Sequence, residues 1–189
     1  MKLLLPLALG GVFLAGGAFA EADRAAGKKL AGQCRTCHGL DGFARIPIAP
    51  HIGGEPAAYI VHQLTAFREG TRAHEMMSIV AKSLTDRQIR DLAAWYAGHR
   101  ITVELTANPA LAPEACVACH GADGLAQIPD APNLAGEANI YIDTQLKAFR
   151  TGKRVHEVMS PIARDLTDAE IRAAADWYAG VRIKIEQGE

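Results

Sequence analysis

Residues 34 to 38 read CRTCH and residues 116 to 120 read CVACH. Two thiols separated by two residues, with an imidazole directly after the second, admit three chemistries: disulfide formation, a zinc site, or covalent attachment of haem. Four cysteines allow three disulfide pairings, yet pairing assigns nothing to the histidines. Two Cys-x-x-Cys units can build one zinc site, but only where they meet in a single core. Haem attachment employs every residue of the motif, because both thiols add to vinyl groups and the adjacent histidine reaches the iron. This is the favoured chemistry, with disulfide and zinc as the alternatives. It makes Cys34, Cys37, Cys116 and Cys119 the attachment residues of two covalently bound haem c groups, and His38 and His120 the first iron ligands.

A six-coordinate iron needs a second axial ligand. The chain has four methionines, Met1, Met76, Met77 and Met159. Met77 and Met159 occupy equivalent places in the two halves, whereas Met76 corresponds to Val158. The repeated pair is therefore expected on the irons, where a soft thioether raises the reduction potential relative to a second imidazole. Filling a core is the alternative task for these methionines. His74 and His156, three residues before each methionine, are the alternative ligands, although their polar surroundings suit solvent-facing side chains.

These residues recur because the chain is an ungapped duplication. The first cysteines (116 − 34), the motif histidines (120 − 38) and the only two tryptophans (177 − 95) are all 82 positions apart. Two copies of so long a period mean two similar domains, not a solenoid. The expected boundaries are 21–101 and 102–189, meeting near HRITVELTANPAL. Within each copy the period is helical. Tyr59, Ile60, Gln63, Leu64 and Phe67 share one face, and Gly70 stands where that helix would stop. Thr85 with Gln88, and Thr167 with Glu170, form capping boxes. Ile89, Leu92, Ala93 and Tyr96 make the next apolar stripe, ended by Gly98. No alternating β-branched run competes, so the expected class is all-α. Helical domains this small bury little core of their own, and a cofactor would fill the centre.

The first twenty residues, MKLLLPLALGGVFLAGGAFA, place one cation before an apolar stretch and a small-x-small triplet before EADR. That is the layout of a secretory signal cleaved after Ala20; an uncleaved anchor is the alternative. The protein is thus expected in a bacterial periplasm. With 22% charged residues, 49% hydrophobic residues and a net charge of −1, the chain as a whole suits small soluble domains and lacks the basic excess of a nucleic-acid binder.

The stretches CRTCHGLDG…IPIAPHIGG and CVACHGADG…IPDAPNLAG, each followed by a Gln-Leu-x-Ala-Phe-Arg helix, a methionine and a helix such as LTDRQIRDLAAWYA, resemble the halves of a dihaem class I cytochrome c of the cytochrome c4 family. The resemblance covers nearly all of residues 24 to 183. It implies two tandem class I cytochrome c domains related by pseudo-twofold symmetry, with the Pro50 and Pro132 carbonyls accepting from the rings of His38 and His120. It also implies an N-terminal helix, met by ADRAAGKKLAGQ in the first domain but interrupted by Pro109 and Pro113 in the second. His51, His62 and His99 lack counterparts and are expected on the surface or in loops. Arg68, Arg72, Arg150 and Arg154 recur, as haem-propionate partners or as surface charge.

With both irons six-coordinate, no position is open to a substrate. The expected function is a periplasmic electron carrier, not an enzyme, that passes single electrons from a quinol-oxidising complex or dehydrogenase to a terminal oxidase or reductase. Peripheral membrane association is compatible with that role. The alternatives are a cytochrome subunit of a larger dehydrogenase complex, or a dihaem peroxidase or thiosulfate-oxidising enzyme.

Overall fold

The computed structural model describes residues 22–106 and 108–188; the expected leader, 1–20, lies outside them. In the first half, α1 (Arg24–Ala31), α2 (Arg35–His38), α3 (Ala57–Glu69), α4 (Met77–Lys82) and α5 (Asp86–Ala97) precede β1 (His99–Glu104). In the second, α6 (Glu114–His120), α7 (Asn139–Arg150), α8 (Met159–Asp165) and α9 (Asp168–Ala179) precede β2 (Arg182–Gln187).

Local sequence signals set the helix ends. Gly70 closes α3 in the left-handed region (φ 81°), which glycine adopts without a Cβ penalty. Both expected capping boxes form: Thr85 and Thr167 each accept from the third residue of their helix, whose side chain reaches back to the cap. Such a cap is worth about 1 kcal/mol. The apolar faces then pack together. Ile60 of α3 meets Leu92, Ala93 and Tyr96 of α5, while Ile142, Leu146 and Phe149 of α7 meet Ile171, Ala175 and Tyr178 of α9.

The halves differ at their starts. Helix α1 begins on Asp23, whose carboxylate accepts from Ala25 and Ala26, and crosses α5 at Gly27. A Cβ on Gly27 would lie 2.0 Å from the Asp91 carbonyl oxygen. Gly27→Ala is therefore expected to force the helices apart and to cost about 1–3 kcal/mol of first-domain stability, read as an earlier thermal transition of that domain alone; an unchanged transition would mean that this crossing is not a tight contact. In the second half, Pro109 and Pro113 bracket a short 3-10 turn, Pro109–Leu111, in place of a long helix. Trp95 is consequently buried, with its indole N–H donating to the Leu40 carbonyl at 2.9 Å, whereas Trp177 is half-buried and its Nε1 has no hydrogen-bond partner among the described residues.

The chain is mainly helical, as expected, and β1 and β2 add a short antiparallel ribbon. The signal was present in the alternation of Ile101 and Val103 and of Ile183 and Ile185, which pair across the ribbon; each run is too short and charged to stand alone, and the ladder needs the partner 82 residues on. Thr102 pairs with Lys184, its own counterpart in the repeat. Only a twofold relation places equivalent residues opposite each other in an antiparallel pair, so a pseudo-twofold axis passes here. The ribbon lies against glycine turns: Ile101 approaches Gly54 (φ 76°) and Ile183 approaches Gly136 (φ 71°), and a Cβ on either glycine would come within 2.7 Å of those side chains.

Candidate functional site

Each Cys-x-x-Cys-His motif lies on a short helical segment that ends at its histidine, because Gly39 and Gly121 turn the chain with positive φ. One helical turn gathers both thiols and the imidazole of a motif. All four cysteines are free thiols and half-buried. Burial pushes the Cys34 and Cys116 thiols up, opposed at Cys34 by a hydrogen bond with Tyr96. The two pairs sit in separate domains, and among the described residues no three or more His, Cys, Asp or Glu side chains converge as a metal site. That arrangement does not fit a shared zinc.

The histidine rings are buried and held by one atom. His38 Nδ1 is 2.9 Å from the Pro50 carbonyl, and His120 Nδ1 is 2.8 Å from that of Pro132, as the family resemblance implies. A carbonyl only accepts, so Nδ1 bears the proton and Nε2 keeps its lone pair for a metal. Burial holds both rings below the usual imidazole range, with the proline contacts opposing it. Each ring is thus neutral, oriented and made more basic by its acceptor. Beside Cys116, the Tyr178 hydroxyl is buried with no hydrogen-bond partner among the described residues, an orphan that a polar edge of a bound group would satisfy. Thiol pair, free Nε2 and orphaned hydroxyl together fit a covalently bound haem.

Met77 and Met159 each begin a helix, α4 and α8, and both are half-buried. Met159 packs against the core of its domain, whereas Met76 is 59% exposed. What the sequence did not disclose is how these methionines are held. His74 Nδ1 accepts from the backbone N–H groups of Met76 and Met77, and the His74 N–H donates to Ser78 Oγ. His156 does the same with Val158, Met159 and Ser160. Each ring also meets a phenylalanine edge-on, Phe67 or Phe149. The histidines thus fasten the start of the methionine helices by accepting at Nδ1, which places the ring proton on Nε2, the nitrogen that a ligand role would need. The repeated serine after each methionine was the available signal.

The repeated arginines divide into two pairs. Arg68 donates to the Leu84 carbonyl and pairs with Asp86; Arg150 does likewise with Leu166 and Asp168. These fasten α3 to the turn before α5, and α7 to the turn before α9. Arg72 and Arg154 cross the domain boundary: Arg72 donates to Gln63, Gln145 and Tyr141, and Arg154 to Gln145, Gln63 and Tyr59. One of the unmatched histidines departs from expectation, whereas His51 lies in a loop as expected. His99 is buried, its Nδ1 3.0 Å from the Trp95 carbonyl. His51 lies between the domains, where Nδ1 accepts from the Ala44 N–H and Nε2 donates to the Gly136 carbonyl. Asn133, its counterpart, makes the same two bonds with an amide, to Ala126 and Gly54. The imidazole mimics the amide, which a search for repeated letters cannot see. His62, half exposed, pairs with Asp130 of the other domain.

Comparison with known proteins agrees with this architecture. The family model described as cytochrome c oxidase, cbb3-type, subunit III matches twice, over residues 21–95 and 105–177. Cytochrome c4 of Pseudomonas aeruginosa is 30% identical over 96% of this chain and 97% of its own length. The chain belongs to the dihaem cytochrome c4 family. It is therefore an electron-transfer cytochrome with two covalently bound haems. The crystal structure of reduced cytochrome c4 from Pseudomonas stutzeri superposes with a TM-score of 0.75 at 26% identity, covering 85% of this chain and all of that one. A relative from Thiomonas intermedia, a thiosulfate dehydrogenase electron acceptor, is 32% identical over 94% of this chain and 90% of its own. A thiosulfate dehydrogenase from Marichromatium purpuratum matches with a TM-score of 0.72 at 32% identity, covering 84% of this chain and 40% of that one.

Proposed function

We propose that this cytochrome c4 relative is a periplasmic carrier of single electrons, drawing on a quinol-oxidising complex or dehydrogenase and delivering to a terminal oxidase or reductase. In this proposal residues 1–20 are a cleaved leader, and 21–101 and 102–189 are the two cytochrome domains. Cys34 and Cys37 would attach one haem and Cys116 and Cys119 the other, and His38 with Met77, and His120 with Met159, would ligate the irons. Bound haem supplies the one-electron couple of its iron. The protein's own residues hold that couple in place: the proline carbonyls fix the ring planes of His38 and His120, and His74 and His156 fasten the backbone of the methionine turns. Ligands that do not move between oxidation states keep reorganisation small, which is what a carrier needs.

The observation that supports a carrier most is the equivalence of the two sites. The same proline–histidine contact, and the same histidine–methionine–serine fastening, occur in both domains. A peroxidase needs one haem specialised with an exchangeable position. A second reading, the electron-accepting subunit of a thiosulfate dehydrogenase, is favoured by the Thiomonas intermedia relative and the Marichromatium purpuratum structure. Redox titration with spectral resolution of the haems tests the carrier. Two one-electron waves at high potentials are expected, with no carbon monoxide binding by the reduced protein and no peroxidase turnover. Ready carbon monoxide binding at one haem, or one potential far below the other, would overturn it.

A further inference from the structure

The peptide that fixes each proximal histidine has a second hydrogen-bonding group. The carbonyl of Pro50 accepts from His38, and the N–H of the same peptide unit belongs to His51. That N–H donates across the domain boundary to Glu137 Oε1 at 2.5 Å. In the other direction, the Pro132 carbonyl accepts from His120, and the Asn133 N–H donates to Glu55 Oε2 at 3.0 Å. Glu55 and Glu137 are counterparts in the repeat, as are His51 and Asn133. Each domain thus inserts one glutamate behind the ligand-holding peptide of the other. Both are buried, at 4% and 3% exposure. Neither has a cation to neutralise it: both appear in no ion pair among the described residues, and Glu137 Oε2 is buried without a hydrogen-bond partner. Carboxylates are rarely buried in this way without a task.

We infer that Glu137 and Glu55 are crossed positioning residues, each biasing the reduction potential of the haem in the opposite domain through the peptide that holds its histidine. The inference rests on His38 and His120 being the iron ligands. A peptide unit is a polarisable dipole, so a negative carboxylate at its N–H pushes electron density onto its carbonyl oxygen. The carbonyl then draws harder on the histidine Nδ1–H, the imidazole becomes a stronger donor, and the ferric state is favoured. A neutral carboxyl keeps the same contact through a carbonyl oxygen but removes the charge. Protonation of Glu137 therefore raises the potential of the first-domain haem, and reduction there favours uptake of a proton from water, with the electron coming from the redox partner.

The surroundings put this switch within reach of solution pH. Burial pushes Glu137 up to about 8, opposed by the His51 and Ala138 N–H groups. Burial also raises Glu55 well above the usual carboxylate range, opposed by Asn133 and reinforced by Glu137. The titratable groups facing the pair are His51, itself acted on by Asp41 and His38, and Tyr59 of α3, which feels Glu55, Tyr141, Arg72 and Arg154. Burial holds His51 below the usual imidazole range, so its ring is neutral where Glu137 ionises.

The deciding measurement is a redox titration of the dihaem protein across a pH window centred on about 8, for the wild type, Glu137→Gln and Glu55→Gln. The two haems are assigned from His38→Ala and His120→Ala, each of which shifts the potential and spectrum of the haem in its own domain. In the wild type the first-domain potential is expected to fall as pH rises through the window. Glu137→Gln should abolish that fall and shift the first-domain potential upward on the alkaline side, leaving the second haem in place. Glu55→Gln should act on the second haem alone. If both histidine variants shift the potentials of their own haems but the glutamine variants move neither potential, move both equally, or move the potential of the haem in their own domain, the crossed coupling is wrong. If His38→Ala leaves both haems unaltered, the ligand assignment beneath it has failed instead.

Discussion

Holoprotein with Cys34→Ala and Cys37→Ala together is expected to retain one haem after acid-acetone extraction where the wild type retains two. A single remaining thiol would still allow one thioether, so both must be removed for a clean result. Loss should be confined to the first domain, because the second motif lies on α6 with its own proline acceptor and its own core. It should also reach beyond spectroscopy. Ile52, Val61, Leu64 and Leu84 are only partly buried against the first core, and apolar side chains left open forgo about 1.5–3 kcal/mol each relative to full burial. The altered domain should unfold at lower temperature than its partner, in a second, earlier transition. The reciprocal variant at Cys116 and Cys119 should reverse the pattern. Retention of both haems by the first variant would remove the attachment assignment.

The parts that sequence made legible are those whose cause is local or repeated. The Thr85 and Thr167 caps, the stop at Gly70 and the broken start at Pro109 and Pro113 follow from residues within a turn of one another, and the structure contains them. The His38–Pro50 and His120–Pro132 contacts were accessible only through family resemblance, since nothing in a twelve-residue spacing dictates a hydrogen bond. The β1–β2 ribbon is not legible in either run alone, because the two are weak separately and pair only through the twofold. The same holds for His51, Arg72 and Arg154, whose partners lie in the other domain. Glu55 and Glu137 left a trace, an acid recurring in GGEP and AGEA, but an acidic letter in a glycine loop looks like a solvated turn until the facing domain closes over it.

Met77→His is expected to lower the potential of the first-domain haem by a sizeable part of the roughly 0.8 V range that axial ligation commands in haem proteins. Thioether sulfur is soft and stabilises ferrous iron, whereas a second imidazole is a better donor to ferric iron. The weak near-infrared band of methionine sulfur on ferric iron should halve in the same variant, because Met159 continues to supply it from the other domain. Met76 provides the control: it precedes α4 as its cap residue and is 59% exposed, so Met76→Leu should leave both potentials and the band unaltered. His74→Ala separates fastening from ligation. Its Nδ1 is engaged by the Met76 and Met77 N–H groups, so the variant should loosen the methionine turn and weaken the band without creating a nitrogen-ligated spectrum. If Met77→His changes nothing while Met76→Leu abolishes half the band, the ligand is Met76; if the wild type shows the band at one haem only and His74→Ala removes a nitrogen-ligated spectrum from the other, the ligand is His74, and in either case the repeat has misled the assignment.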